Sequence, residues 1–149
     1  MKRKILIIDD ERSILEWMKI ALEDKYDVLT TQDPRSALNI IKEENPHLII
    51  TDIKMPGISG FEILEEVKKI NFNIPVIMIT AYASLDSAIE AFRKGASDYL
   101  VKPFSEEELI YRIEKYLPLI KEDIEFIAVD EKTLEVKKLA LKSANSDIP

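Results

Sequence analysis

The sequence predicts an α/β domain in which a five-stranded parallel sheet is doubly wound, with helices on both faces. Three observations carry this. The runs Lys4-Ile-Leu-Ile-Ile8, Leu48-Ile-Ile50 and Val76-Ile-Met-Ile79 are short and continuously apolar, as strands covered on both faces must be. Between them, apolar residues recur every three or four positions, the spacing of a helix with one buried stripe. Polar and acidic residues follow the apolar runs directly, at the edge where open parallel sheets form their binding sites.

The elements follow in order. After the first strand, Ile14, Met18 and Leu22 at i, i+4 and i+8 predict a helix with one buried face. Residues 27–31 form a weaker strand candidate. Asp33-Pro34 then offers an N-cap followed by a proline at the first helical position. After the run at 48–50, Ile63, Val67 and Ile70 mark a third helix, and after 76–79, Leu85, Ala88, Ile89 and Phe92 mark a fourth, stopped by Gly95. Residues 98–101 supply a last strand, and Ser105-Glu-Glu-Glu108 has the spacing of a capping box at the head of a fifth helix. Strand and helix thus alternate five times over residues 4–117. Pro118 closes the pattern, and residues 118–149 are too few for an independent core, for which roughly 40 residues are needed. Within them, residues 124–129 are strand-like and residues 132–143 carry a helical pattern. The expected organisation is a domain over 1–117 and, over 118–149, a linker with the start of a further domain.

Composition narrows the chemistry. The chain has 149 residues, 46% of them hydrophobic, which suffices for a buried core. It has no cysteine, so disulfides, thiolate metal sites and cysteine nucleophiles are excluded. A single histidine, His47, excludes His-rich zinc sites and makes a histidine-based triad improbable. The formal net charge of -7 repels phosphate backbones and anionic lipid, so neither nucleic acid nor membrane is an expected partner. The apolar run after the basic start ends at Asp9, too soon for a secretory signal, and a cytoplasmic location is expected.

The strand ends read Asp9-Asp10-Glu11, Asp52, Thr80-Ala81 and Lys102-Pro103-Phe104. If the strand order is 2-1-3-4-5, these ends are neighbours. Carboxylates brought within a few ångströms repel unless a cation intervenes, and hard oxygen ligands with open positions suit Mg²⁺, which shares its sphere readily with phosphate. Phosphoryl transfer depends on in-line positioning and neutralisation of the phosphoryl oxygens. Asp52 is then the expected nucleophile, with Mg²⁺, the Lys102 ammonium and the Thr80 hydroxyl each facing one oxygen, and no general base is required. Structural readings stand beside these. Asp9 or Asp10 could cap the first helix, Lys102 could be solvated, Thr80 could simply enter a helix and Tyr99 could be core. Trp17 is expected in partial packing, His47 at a strand entry, Met55 in loop packing, and Glu106 to Glu108 in first-turn stabilisation.

Ile8-Asp9-Asp10-Glu11, Thr51-Asp52-Ile53-Lys54-Met55-Pro56-Gly57, Thr80-Ala81 and Asp98-Tyr99-Leu100-Val101-Lys102-Pro103-Phe104 together resemble the receiver domain of bacterial response regulators. The resemblance covers residues 4–117 and implies a CheY-like, flavodoxin-like three-layer sandwich with order 2-1-3-4-5. It implies that Asp52 accepts a phosphoryl group from a histidine kinase. Asp10, Asp52 and the main-chain carbonyl of Lys54 would ligate Mg²⁺, with Asp9 acting directly or through water. Lys102 would pair with the phosphorylated aspartate, its bond to Pro103 being cis. Thr80 and Tyr99 would be the switch pair that alters the surface of the fourth helix, fifth strand and fifth helix. Lys54 and Tyr82 match positions that influence dephosphorylation. This is a signalling module rather than a turnover enzyme.

Thr80-Ala-Tyr-Ala-Ser84 and the run on to Leu100 are similar to receivers of the NtrC class, and residues 134–149 resemble the entry to the AAA+ domain of sigma-54 activators. That resemblance implies a homodimer, an AAA+ output domain and sigma-54 RNA polymerase as partners. Pro118 departs from the continuous linker helix of that class. A stand-alone receiver without an output domain is the alternative. Two other classes fail on local features. A flavodoxin needs a Ser/Thr/Gly-rich phosphate loop where Asp9-Asp10-Glu11 stands, and a haloacid-dehalogenase phosphatase needs Asp-x-Asp at the first strand end.

Overall fold

The computed structural model describes residues 2–117; the expectations placed on 118–149, a strand-like stretch and a helical stretch among them, lie outside the described residues. The elements are β1 (Arg3–Ile8), α1 (Arg12–Leu22), β2 (Tyr26–Thr31), α2 (Pro34–Glu44), β3 (Leu48–Asp52), α3 (Gly60–Ile70), β4 (Val76–Thr80), α4 (Leu85–Arg93), β5 (Asp98–Val101) and α5 (Glu106–Tyr116). All strand pairs are parallel and the order is β2-β1-β3-β4-β5. The chain therefore turns outward in opposite directions from β1, and the gap between β1 and β3 is the topological switch point.

Alternate residues of each strand feed two cores. Ile5 and Ile7 of β1 join Leu15, Met18 and Leu22 of α1 and Leu109 and Ile113 of α5 on one face. Leu6 and Ile8 join Ala37 and Ile41 of α2 and Ile63, Leu64 and Val67 of α3 on the other. Because both faces are covered, β3 and β4 are buried along their whole length.

Helix ends follow local chemistry. Asp33 caps α2, accepting from Arg35 N–H, with Pro34 at the first position. Ser59 and Glu62 form a full capping box on α3. At α5 only the forward half exists. Ser105 accepts from Glu108 N–H, while the Glu108 carboxylate pairs with Arg112 instead of returning to the cap. Gly95 follows α4 at φ +108°, as a left-handed stop requires. Gly60 starts α3 so close to β3 that a Cβ there would lie 2.2 Å from the Asp52 carbonyl oxygen.

Two expected stripes need correction. In α4, Leu85 is 76%, Ile89 45% and Phe92 49% exposed. Ala91 is the buried residue of this helix, with Ala88 partly covered, so α4 lies on the sheet through small side chains and turns its large apolar residues outward. In α3, Leu64 takes a core place and Ile70 sits at the rim, 38% exposed. The partial packing expected of Trp17 is present: its ring lies 5.8 Å from that of Phe104. His47 is exposed and joins β1 to the entry of β3, its Nδ1 accepting from Lys4 N–H at 2.9 Å.

Asp98 at the start of β5 is a buried carboxylate that accepts from Tyr99 N–H, from the Arg112 guanidinium and from the Tyr116 hydroxyl. It ties α5 to the edge of the sheet. Removing Asp98 takes the acceptor from Tyr99 N–H and leaves the partly covered Arg112 with Glu108 alone. Asp98→Ala is expected to lower the unfolding free energy by about 2–3 kcal/mol, read as a shift of the urea midpoint without a change in slope.

Candidate functional site

The carboxyl ends of β1, β3, β4 and β5 lie side by side, since Ile8 pairs with Thr51, Asp52 with Ile79 and Thr80 with Val101. Asp9 follows β1 directly and is fully buried; its backbone N–H donates to Thr31 O, and its Oδ1 accepts from Glu11 N–H at 2.9 Å. Asp10, next along, is exposed and faces the cavity. Neither caps α1. The N-cap is Glu11, without a side-chain capping bond, so both aspartates remain available. Asp52 ends β3 and is 6% exposed; its Oδ1 accepts from Lys54 N–H at 3.3 Å.

Lys102, one residue beyond β5, reaches across the edge. Its backbone N–H donates to Thr80 O, extending the ladder, and its bond to Pro103 is cis. Its Nζ stands 2.9 Å from Asp9 Oδ2, 3.2 Å from Asp52 Oδ2 and 3.5 Å from Glu11 Oε1. The lysine is therefore not solvated at the surface. Burial pulls the pKa of this ammonium down, but the contacts to Asp9 and Asp52 outweigh it, and the net shift is upward. Asp9 moves the other way from an ordinary ion-paired acid. Burial raises it, the Glu11 N–H and Lys102 only partly offset that, the Asp52 charge adds to it, and its pKa is pushed up to about 6.

The carboxylates of Asp9, Asp10 and Asp52 each place an oxygen within 4.8 Å of the other two. Asp9 Oδ2 is buried and, despite its closeness to Lys102, accepts no well-aligned hydrogen bond. A hard-oxygen donor set with one unsatisfied buried lone pair and an exposed neighbour fits a small divalent cation that keeps part of its water. The cavity over these groups measures about 820 Å³ and continues past Lys54 and Met55 to Phe61 and Tyr82.

Thr80 and Tyr99 lie on the same side of the sheet edge but do not join the carboxylates. The Thr80 hydroxyl, buried with its strand, accepts from Tyr82 N–H at 2.9 Å. The half-buried Tyr99 hydroxyl is hydrogen-bonded to Ser87 Oγ of α4. Lys54 lays its ammonium 4.8 Å above the Tyr82 ring, bridging the loops that follow β3 and β4. Met55 packs against the α3 side of the core, as expected of a loop residue. Sequence reasoning assigned no role to Ser87, which carries no motif, or to Glu11 beyond its place beside the aspartates.

The family model for the response regulator receiver domain matches residues 5–114. A curated relative, "Probable transcriptional regulator ycf27" of Porphyridium aerugineum, is 41% identical over 117 residues, covering 78% of this chain and 48% of the relative. The chain spans about half the length of the curated relatives it matches. Among solved structures, a CheY-like response regulator receiver domain protein from Methanospirillum hungatei JF-1 superposes with a TM-score of 0.76 at 34% identity, covering 78% of this chain and 94% of that one. A receiver domain protein from Clostridium thermocellum gives 0.74 at 42% identity, covering 77% and 94%.

The raised pKa of Asp9 makes a signed prediction for the metal-free protein. The folded state holds this proton more tightly than the unfolded chain, so the group's contribution to stability is full below the ordinary value of 3.8 and is lost as pH rises through about 6. At about 1.4 kcal/mol per pKa unit, the loss is on the order of 3 kcal/mol. Asp9→Asn is expected to flatten the fall of the urea midpoint between pH 4 and 6 and to leave the variant more stable than wild type at neutral pH in EDTA.

Proposed function

This chain belongs to the response regulator receiver domain family, and from that premise we propose that it accepts a phosphoryl group on Asp52 from the phosphohistidine of a histidine kinase, with Mg²⁺ as the required cation. The observation that carries this reading is the position of Lys102. Its ammonium lies between the nucleophile's carboxylate and the buried Asp9, in the cavity that the exposed Asp10 also lines.

Asp52, beside the Lys102 ammonium, would attack phosphorus as a carboxylate, without a base. An acyl phosphate forms on one carboxylate oxygen as the bond to the donor nitrogen breaks. Bound Mg²⁺ would neutralise charge on the phosphoryl oxygens. Asp10, Asp52 and the Lys54 carbonyl would hold the ion, with Asp9 completing the set directly or through water. Lys102 can shift from Asp52 Oδ2 to a phosphoryl oxygen with little movement. Thr80, which accepts from Tyr82 N–H, would turn its own O–H toward another phosphoryl oxygen, coupling the β4–α4 loop to the phosphoryl group, and Tyr99 sits one strand over with its hydroxyl on α4. A phosphoryl group would in this way bias the surface of α4, β5 and α5, by no more than its differential contacts allow.

For the output we propose control of transcription, which the names of the curated relatives support. A receiver over 1–117 joined by 118–149 to an AAA+ domain acting on sigma-54 polymerase rests on the sequence resemblance alone; the relatives do not carry that finer assignment.

Intact-mass measurement with acetyl phosphate and MgCl₂ tests the phosphoacceptor. Wild type is expected to gain one phosphoryl mass, lost in EDTA, and Asp52→Asn to gain none. An adduct that persists in the variant rejects Asp52.

A further inference from the structure

Three acids share the Lys102 ammonium, and they are not equivalent. Asp9 and Asp52 are held in place by the strand ends they follow and are buried, at 2.9 and 3.2 Å. Glu11 reaches in from the mouth of the cavity at 3.5 Å with its side chain 60% exposed. Nothing in α1 requires its carboxylate there, since Glu11 is an N-cap residue with extended backbone and no capping bond. Of the ammonium's three N–H donors, one is directed at Asp52 Oδ2 and one at Glu11 Oε1, while Asp9 Oδ2 receives none in good alignment. Glu11 thus holds one of the two well-directed N–H donors at the mouth of the cavity, beside the Asp52 carboxylate that a phosphoryl group would join.

Glu11 also sets the charge at the entrance. The cavity is lined by the acids Asp10, Glu11 and Asp52 against Lys54 and Lys102, three negative groups to two positive. With Asp9 buried behind Lys102, the site carries four acids to two cations, and removing Glu11 lowers the formal excess from two negative charges to one. Resting on the reading of Asp52 as phosphoacceptor, the geometry points to Glu11 as the residue that selects phosphodonors by charge, disfavouring acyl phosphates and sparing N-phosphorylated donors whose leaving group is neutral or cationic. In either case the Asp52 oxygen forms the new bond to phosphorus. With acetyl phosphate the breaking P–O bond leaves its electron pair on acetate. With phosphoramidate the breaking P–N bond leaves its pair on an amine already protonated in the donor, and ammonia departs. The first donor carries two net negative charges at neutral pH and the second carries one.

The test uses the full chain and compares wild type with Glu11→Gln, Glu11→Ala and Glu11→Asp. Phosphorylation rates with acetyl phosphate and with phosphoramidate are read by intact mass, at MgCl₂ concentrations shown to be saturating for each variant by calorimetric titration. Two unit charges roughly 5 Å apart in a water-like medium alter a rate about fourfold. Both neutral variants are therefore expected to raise the acetyl phosphate rate about fourfold relative to the phosphoramidate rate at low salt, with the difference collapsing at about 1 M KCl, where the screening length is about 3 Å. Glu11→Asp is expected to keep the wild-type ratio. An equal change with both donors, or a ratio indifferent to salt, overturns the assignment and leaves Glu11 a structural neighbour of Lys102. No adduct on wild type with either donor, or an adduct surviving in Asp52→Asn, overturns the underlying phosphoacceptor reading, whereas failure of the Glu11 assignment alone leaves Asp52-dependent adducts with both donors and changes only their ratio.

Discussion

The site depends on a largely covered positive charge held among negative ones. Asp9 is fully enclosed and Asp52 nearly so, and both lie at the end of the sheet where their charges add. Without the Lys102 ammonium the pair would be costly to bury, and with it one buried oxygen of Asp9 still lacks a well-directed partner. The protein therefore folds around an electrostatic deficit. The strand order makes the deficit possible: β1 and β3 are neighbours at the switch point, and the lysine arrives from β5, two strands beyond β3. A sheet with another order would leave the same residues as unconnected surface charges.

The five helices are not held equally. Four bury two or more side chains in the cores, whereas α4 buries a single alanine and presents Leu85, Ile89 and Phe92 to solvent. Beyond its seat on Ala88 and Ala91, its links to the rest are polar: the hydroxyl pair with Tyr99 near its start, and the ion pair of Lys94 with Glu65 at its end. An element with little buried apolar area is the one whose position can be altered by a small change in free energy. That this helix borders the loop carrying Thr80 and Tyr82 places the weakest attachment in the fold next to the chemistry.

The fold was legible because each level agreed. Continuous apolar runs, helical spacing, the Asp33-Pro34 start and the Gly95 stop all describe the same alternation, and the strands fall within two residues of the expected bounds, β3 running on from Ile50 to Asp52. The gathering of Asp9, Asp10, Asp52 and Lys102 was legible because strand ends converge in this architecture. What the sequence concealed depends on tertiary context. Periodicity marks an apolar stripe on α4 but not whether anything covers it, and small residues at Ala88 and Ala91 let the helix seat itself on a different face. The partner of the Tyr99 hydroxyl, Ser87, lies twelve residues away and has no signature. The Glu108 carboxylate had two possible partners in its own helix, and the guanidinium of Arg112 competed better than the cap.

Gly60 closes the segment that leaves Asp52. Its N–H donates to Ile53 O at 2.8 Å, and its Cα leaves no room for a methyl against the Asp52 carbonyl. The intervening loop is thus pinched shut at its base, like a noose of fixed circumference. An added or deleted residue between 53 and 60 has no slack to absorb it and would displace either the helix behind or the nucleophile in front, so natural length variation should be channelled to other connections of the sheet.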